Sequence, residues 1–291
     1  MRGGPNFEGA WILTVRIKFC GLVRSEDICV ANKLAVDFIG LVLYAKSPRA
    51  LDLEQAFALR RIIASQIQCV GLFVNAHPAF VQAANRRLGL DVIQFHGDES
   101  PKRCFSSSSR PFWRAVRMQS PKSLELAVQA FNEEAERRTS LTSSRLSGYP
   151  SHSPSSYPSD SPSSYPLSRP SSYPPGCPSS YPSSDRQSEA SAACEAFLVD
   201  ADAKLAYGGT GHVFDWSWLA EAGIRPERLI LSGGLNPENV GKAIQTLNPW
   251  AVDVSSGIQG ASPRIKDAGK MEAFVNAVQT ALCKRPCDEA L

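Results

Sequence analysis

Four small groups of residues in this chain have types and spacings that can do chemistry. Asp200 ends the apolar run Phe197–Val199 and is followed by Gly208, Gly209 and Gly211, with Asp215 opening a helical pattern. A carboxylate at a strand's end beside a glycine-rich turn can serve as an acid or base next to an anion-binding loop, and it can equally be a turn or cap residue. Cys20 follows Lys18 by two positions, so in an extended strand both side chains leave one face, where a buried ammonium below the thiol is expected to favour thiolate. Gly233 with Gly234, and Ser255 with Ser256 and Gly257, each follow an apolar run. Backbone N–H groups in such loops can point at an anion without obstruction by side chains.

These groups act together only if one fold brings them together. From Val15 onward, eight short apolar runs alternate with helical patterns: RIKFCG, DFIGLVLY, QCVGLFVN, DVIQFHG, FWRAVRM, AFLVDA, RLILSGG and WAVDVSSG. Near-continuous hydrophobicity fits parallel strands covered by helices, and the eightfold alternation predicts an α/β fold, a single (β/α)8 TIM barrel over 15–284. Ser25 to Asp27 open the first helix, whose apolar face is Ile28, Ala31 and Ala35. Asp52 caps the second, which buries Ala56, Leu59 and Ile63. The fourth, after Pro101, should be short. Asn236 and Pro237 form a cap and first-turn pair for the helix after the seventh strand, and Met271, Phe274, Val275, Val278 and Leu282 share one face of the last.

In such a barrel the functional residues sit at the C-terminal strand ends. Those positions hold Cys20, Tyr44, Asn75, His96, Asp200, Gly233, Gly234, Asp253, Ser255, Ser256 and Gly257. The loops after the seventh and eighth strands form the expected phosphate cradle, while Cys20 and Asp200 face each other across the mouth as acceptor and donor of protons.

Between the fifth helix and the sixth strand, residues 139–191 are dominated by Ser, Tyr and Pro, with SSYP recurring at Ser155, Ser163, Ser171 and Ser179. Too few aliphatic residues are present to offset the entropy of ordering, so this insert is expected to be disordered, hanging from the face opposite the site. Residues 1–14 form a leader expected to be poorly ordered, and 285–291 a tail.

A formal charge of +3 without basic runs interleaved with aromatics argues against nucleic acid as a partner. No secretory signal and no apolar run of membrane-spanning length is present, so a cytoplasmic protein without a membrane partner is expected. The eight cysteines show no paired CxxC pattern; free thiols are expected and a metal is not.

Taken together, KFCG (18–21), GLVLYAKSPR (40–49), VGLFVN (70–75), QFHGDE (94–99), LVDA with GGTGHVFDW (198–216), LSGGLNPENV (231–240) and AVDVSSG with KD (251–267) resemble the phosphoribosylanthranilate isomerases of tryptophan biosynthesis, in family order. The resemblance implies a cofactor-free Amadori rearrangement of N-(5-phosphoribosyl)anthranilate, a phosphosugar carrying anthranilate. Asp200 would be the general acid that opens the furanose ring and Cys20 the general base that takes the proton from C2. Arg49 suits the anthranilate carboxylate, since guanidinium binds carboxylate in bidentate fashion. Asp253 either holds the substrate amine or pairs with Lys18. His96 either lines the site or is a hydrogen-bonded structural residue.

The family usually has Glu where this chain has Gln259, and Gly is common where Arg264 stands. The histidine-pathway isomerase with the same chemistry is a rival, but it is expected to use carboxylates in both roles. A non-catalytic barrel with the insert as interaction arm is the other rival. A monomer or homodimer, possibly beside other tryptophan-pathway enzymes, is compatible with the resemblance.

Overall fold

Every strand carries apolar side chains on both faces, so it can be stable only with cover on both sides. In the computed structural model, which describes residues 14–118, 120–146, 193–200, 219 and 224–283, that cover comes from a closed barrel interior on one side and helices on the other. The strands are β1 (Arg16–Cys20), β2 (Phe38–Val42), β3 (Gln68–Phe73), β4 (Val92–Phe95), β5 (Phe112–Arg117), β6 (Cys194–Asp200), β7 (Leu229–Ser232) and β8 (Ala251–Val254). They are parallel and close in sequence order, with β1 returning to β8 through Lys18 opposite Asp253. The expected (β/α)8 barrel is thus the observed fold.

Side-chain parity along each strand sorts residues between two layers. In β1, Ile17 and Phe19 point outward into the main core while Lys18 and Cys20 point inward; in β6, Phe197 and Val199 go outward while Leu198 faces the interior. The outer layer meets α1 (Ser25–Lys33), α2 (Leu53–Arg60), α3 (Pro78–Leu88), α4 (Pro101–Ser107), α5 (Pro121–Leu146), α6 (Val240–Leu247) and α7 (Ala268–Cys283). Phe19 and Phe274 of α7, both fully buried, meet edge-to-face at 6.3 Å. Burying each ring contributes roughly 1.5–3 kcal/mol relative to exposure.

Helix boundaries follow local chemistry. Asp52 accepts from Gln55 N at 2.8 Å and Gln55 Oε1 accepts from Asp52 N at 3.1 Å, a reciprocal cap that starts α2. α4 is short, as expected, and is capped by Ser100 ahead of Pro101. Asn236 Oδ1 accepts from Glu238 N and Asn239 N, both at 3.0 Å, so it caps the turn leading into α6, whose regular hydrogen bonding begins only at Val240. Met271, Phe274, Val275 and Val278 of α7 are buried and Leu282 is partly buried against the same core.

Two expectations are corrected. Ala35 does not belong to the apolar face of α1, because the helix ends at Lys33 and Ala35 turns with φ +50 into solvent, leaving Val36 as the buried residue. Helix α5 runs through Leu146, into the stretch assigned to the insert.

Barrel and insert divide into two compact units, and of the second, Glu136–Glu189, only the end of α5 is described. The leader 1–13, the remainder of the insert, Asp202, Gly208, Gly209, Gly211, Asp215 and the tail 285–291 lie outside the described residues. The six cysteines among the described residues are free thiols. No helix among the described residues is long and apolar enough to cross a membrane.

Candidate active site

At the C-terminal end of the barrel the interior opens into a cavity of about 450 Å³ to which every strand contributes through its end or the loop after it. Its base is a buried ion pair: Lys18 Nζ lies 2.9 Å from Asp253 Oδ1, and Ser232 Oγ donates to Asp253 Oδ2 at 3.1 Å. Of the two roles left open for Asp253, pairing with Lys18 is therefore observed. Burial alone pulls the Lys18 ammonium down, but Asp253 and then the Cys20 thiol outweigh it and hold the lysine above its ordinary range.

Cys20 lies directly above this pair and is 6% exposed. Gly40 on β2 makes room for both groups, since a Cβ there would stand 3.0 Å from Cys20 Sγ and 3.2 Å from Lys18 Cε. The expected lowering of the Cys20 thiol is not found: burial pushes it up and exceeds the opposing pull of Lys18, whose charge is already shared with Asp253. A second buried lysine flanks the same place. Lys266 Nζ donates to Ser255 O at 2.7 Å and to Ser255 Oγ at 3.3 Å, while Ser255 Oγ donates to Cys20 O at 3.0 Å. Burial brings Lys266 down to about 8, with the Cys20 thiol opposing the shift and Arg49 adding to it.

Asp200 ends β6 half-buried in the cavity wall, in register with Ser232 of β7 on one side and Arg117 of β5 on the other. His96 also lines the cavity, with its Nδ1 hydrogen-bonded to the side-chain amide of Gln94 at 2.9 Å. The two readings of His96 thus coincide in one residue. Burial first, then Lys18, lowers it to about 4, so the ring is neutral at physiological pH.

The loops after β7 and β8 face each other across the cavity wall. Gly233 (φ +87) and Gly234 (φ +64) occupy the left-handed region that side chains disfavour, and both line the cavity with Ser255 and Ser256. Gly257 does not line it. A Cβ at Gly257 would run into the backbone of Leu235, so this glycine lets the two loops touch. Arg49 reaches the cavity from the loop between β2 and α2. Gly21 (φ +71) permits this, since a Cβ on it would come within 2.5 Å of Arg49 Cδ. Val42, Leu72, Tyr44 and Val74 pack beside Cys20 as an apolar wall.

Sequence reasoning missed Arg117, Ser232, Gln94 and Lys266. The first three share inward parity with Trp113, Ile230 and Val92, and that parity was a usable signal. Lys266 lies off the strand ends and arrives by a loop closed through Gly260 N and Ile265 O at 2.8 Å; its signal was the KD of the family resemblance. Asn75, by contrast, is a strand-end residue spent on structure: its backbone N donates to Glu99 Oε1 at 2.6 Å and its Oδ1 accepts from Asp98 N at 2.8 Å.

A family model for N-(5'phosphoribosyl)anthranilate (PRA) isomerase matches residues 17–144 and 178–277. The chain belongs to this family. Among phosphoribosylanthranilate isomerases, the Thiobacillus denitrificans protein is 34% identical over 269 residues, spanning 92% of this chain and 100% of that protein. The structure of the Thermotoga maritima phosphoribosyl anthranilate isomerase superposes with a TM-score of 0.63 at 25% identity, covering 92% of this chain and 100% of that one. A phosphoribosyl anthranilate isomerase solved in complex with reduced 1-(o-carboxyphenylamino)-1-deoxyribulose 5-phosphate shares the fold, with a TM-score of 0.61 at 24% identity over 92% of this chain and 100% of that one.

Proposed function

We propose that this protein catalyses the Amadori rearrangement of N-(5-phosphoribosyl)anthranilate to 1-(2-carboxyphenylamino)-1-deoxyribulose 5-phosphate in tryptophan biosynthesis. The observation that carries this reading is the composition of one cavity: a thiol on β1, a carboxylate on β6, a guanidinium from the second βα loop and two glycine- and serine-containing loops after β7 and β8. A phosphate ester suits the backbone N–H groups around Gly233, Gly234, Ser255 and Ser256, with Gly257 holding the two loops together. The aromatic ring of anthranilate suits the apolar wall, and its carboxylate suits Arg49.

Chemistry then proceeds in two proton transfers. Asp200, protonated, gives its proton to the furanose ring oxygen as the C1–O bond breaks, and the nitrogen lone pair forms the Schiff base. Cys20, as thiolate, takes the proton from C2, and the electrons of that C–H bond move toward the iminium to give an enolamine that tautomerises to the ketone. Lys18 and Lys266 are the cations that favour the thiolate against burial. Asp253, tied to Lys18 and Ser232, keeps that ammonium beneath the thiol, and neutral His96 lines the same cavity.

Turnover of N-(5-phosphoribosyl)anthranilate by the full chain, followed as loss of anthranilate fluorescence, tests the reading. Saturable turnover is expected; absence of turnover overturns it.

A further inference from the structure

Two lysines are sunk at the mouth end of the barrel, and they are compensated differently. Lys18 is fully buried and lies 2.9 Å from Asp253. Lys266 is 4% exposed, yet the two oxygens that its Nζ meets, Ser255 O at 2.7 Å and Ser255 Oγ at 3.3 Å, are both neutral. No carboxylate among the described residues forms an ion pair with it. We infer that Lys266 is a positioning residue of the phosphate cradle, an ammonium held behind the loop after β8 whose charge is compensated by a dianionic phosphate group bound on the cavity side of that loop. The inference rests on the isomerase reading and adds to its phosphate grip a cation that does not itself touch the ligand.

The carboxylates nearest to Lys266 are already engaged. Asp253 holds Lys18 and accepts from Ser232. Asp27 of α1 is paired with Arg24 at 2.6 and 3.2 Å and meets Lys266 only at its backbone N, 3.4 Å away. Asp267 accepts from Lys270 N at 2.9 Å, at the start of α7. A buried charge without a counter-charge is costly, so a site that keeps one is expected to find its compensation elsewhere. Burial brings this ammonium down to about 8, with Cys20 opposing the shift, Arg49 adding to it, and Asp253 and Asp27 opposing it. It still carries its charge at neutral pH.

The fold delivers the lysine to this place by doubling the chain back. Gly260 N donates to Ile265 O at 2.8 Å, Asp267 N donates to Ile258 O at 2.9 Å, and Gln259 and Lys266 form an antiparallel bridge. Lys266 thereby returns to Ser255, whose Oγ in turn donates to Cys20 O at 3.0 Å. Ser255 and Ser256 line the cavity and Lys266 does not. Ser255 O and Ser256 N–H are the two ends of one peptide group, and an ammonium at the carbonyl end makes the N–H end a stronger donor. That N–H has no acceptor among the described residues, so it is available to an anion in the cavity.

The probe is inorganic sulfate, which stays dianionic near and above neutral pH and should compete for a phosphate cradle. Its Ki against the substrate is measured on the full chain at constant ionic strength in wild type, Lys266→Gln, which keeps a donor for Ser255 O without the charge, and Lys266→Arg, which keeps the charge. In wild type the affinity for sulfate should fall about tenfold between about pH 7 and 9, as the ammonium loses its proton. Lys266→Gln should bind sulfate about tenfold more weakly than wild type at neutral pH and show little pH dependence, whereas Lys266→Arg should match wild type at neutral pH and stay flat above it. Alkylation of Cys20 by iodoacetamide, followed in parallel, reads the thiolate. Slower alkylation in Lys266→Gln with an unchanged sulfate Ki overturns the inference, because the ammonium then serves the thiol alone. A wild-type pH dependence that persists in Lys266→Arg overturns it too, since another group then causes it, and a flat wild-type profile or a failure of sulfate to compete overturns it without any variant. If Lys266→Gln does not fold, wild type against Lys266→Arg decides by the pH profile. Absence of wild-type turnover overturns the isomerase reading, and calorimetric sulfate binding to the same proteins then tests Lys266 by the same criteria.

Discussion

The two ends of the barrel are built from the same eight strands and the same side-chain alternation, yet they treat polar groups in opposite ways. At the N-terminal end Phe38, Trp113 and Trp250 form an aromatic floor, with ring centroids 4.9 to 5.9 Å apart. Arg16 stacks over Trp250 at 4.9 Å. The strand starts are closed by carboxylates, since Asp37 accepts from Ile17 N and Asp91 from Cys69 N, each at 2.8 Å. At the C-terminal end the interior holds a lysine, a thiol, two aspartates, a neutral histidine and left-handed glycines around open space. The floor is filled by aromatic rings, whereas the mouth gathers its polar and titratable groups around a cavity. Stability therefore concentrates at one end and chemistry at the other, as the openness of the C-terminal face of such barrels permits.

The sharpest way to break this contrast is to remove the groups that carry the proposed chemistry. Cys20→Ala and Asp200→Ala should each lower kcat by about 10²–10⁴-fold in the steady-state assay, the usual range for a positioned acid or base, while the melting temperature stays near that of wild type. Activity close to wild type in either variant would remove that residue from the mechanism.

Next in size is a loss at the floor. Trp113→Ala deletes a fully buried ring and should cost about 3–5 kcal/mol in denaturant unfolding. Once corrected for folded fraction, kcat/KM should stay within a few-fold. A far larger loss per folded molecule would mean that floor and mouth are not separable.

A smaller effect is expected from pH. Cys20 must lose its proton to react and its thiol is held above the ordinary range, so the rate of Cys20 alkylation by iodoacetamide, which reads the thiolate alone, should rise with pH through neutrality. Lys266, at about 8, becomes neutral over the alkaline side and withdraws a charge that favours the thiolate, so the rise should be shallower there. A profile already flat from acidic pH would contradict a protonated resting thiol. Smallest of all should be removal of residues 150–188, which ought to leave kcat within about twofold of wild type, because closing a loop of different length changes free energy only slowly. A large loss would assign the insert a part in the catalytic end.

Much of this was legible in the chain before folding was considered. Unbroken apolar runs reported parallel strands, Asp52 reported a cap, and the paired spacing of Lys18 and Cys20 reported a shared face. The failures have physical causes too. Ala35 fits the helical period of α1, but the helix stops at Lys33 and a left-handed residue follows. Lys18 was expected to lower the Cys20 thiol because spacing gives proximity but not desolvation, and burial is the larger influence.

The sequence by itself determined the eightfold alternation, the family, and which side chains face the barrel interior, because all three depend on residue type and short-range periodicity. Only the tertiary structure decided what those interior groups do to one another. Closure brings Asp253 of β8 beside Lys18 of β1, and one loop lays Gln259 and Arg264 against the neighbourhood of Arg49. Those partners lie more than two hundred residues apart in the chain. Their electrostatics depend on distance and burial, which no local pattern encodes.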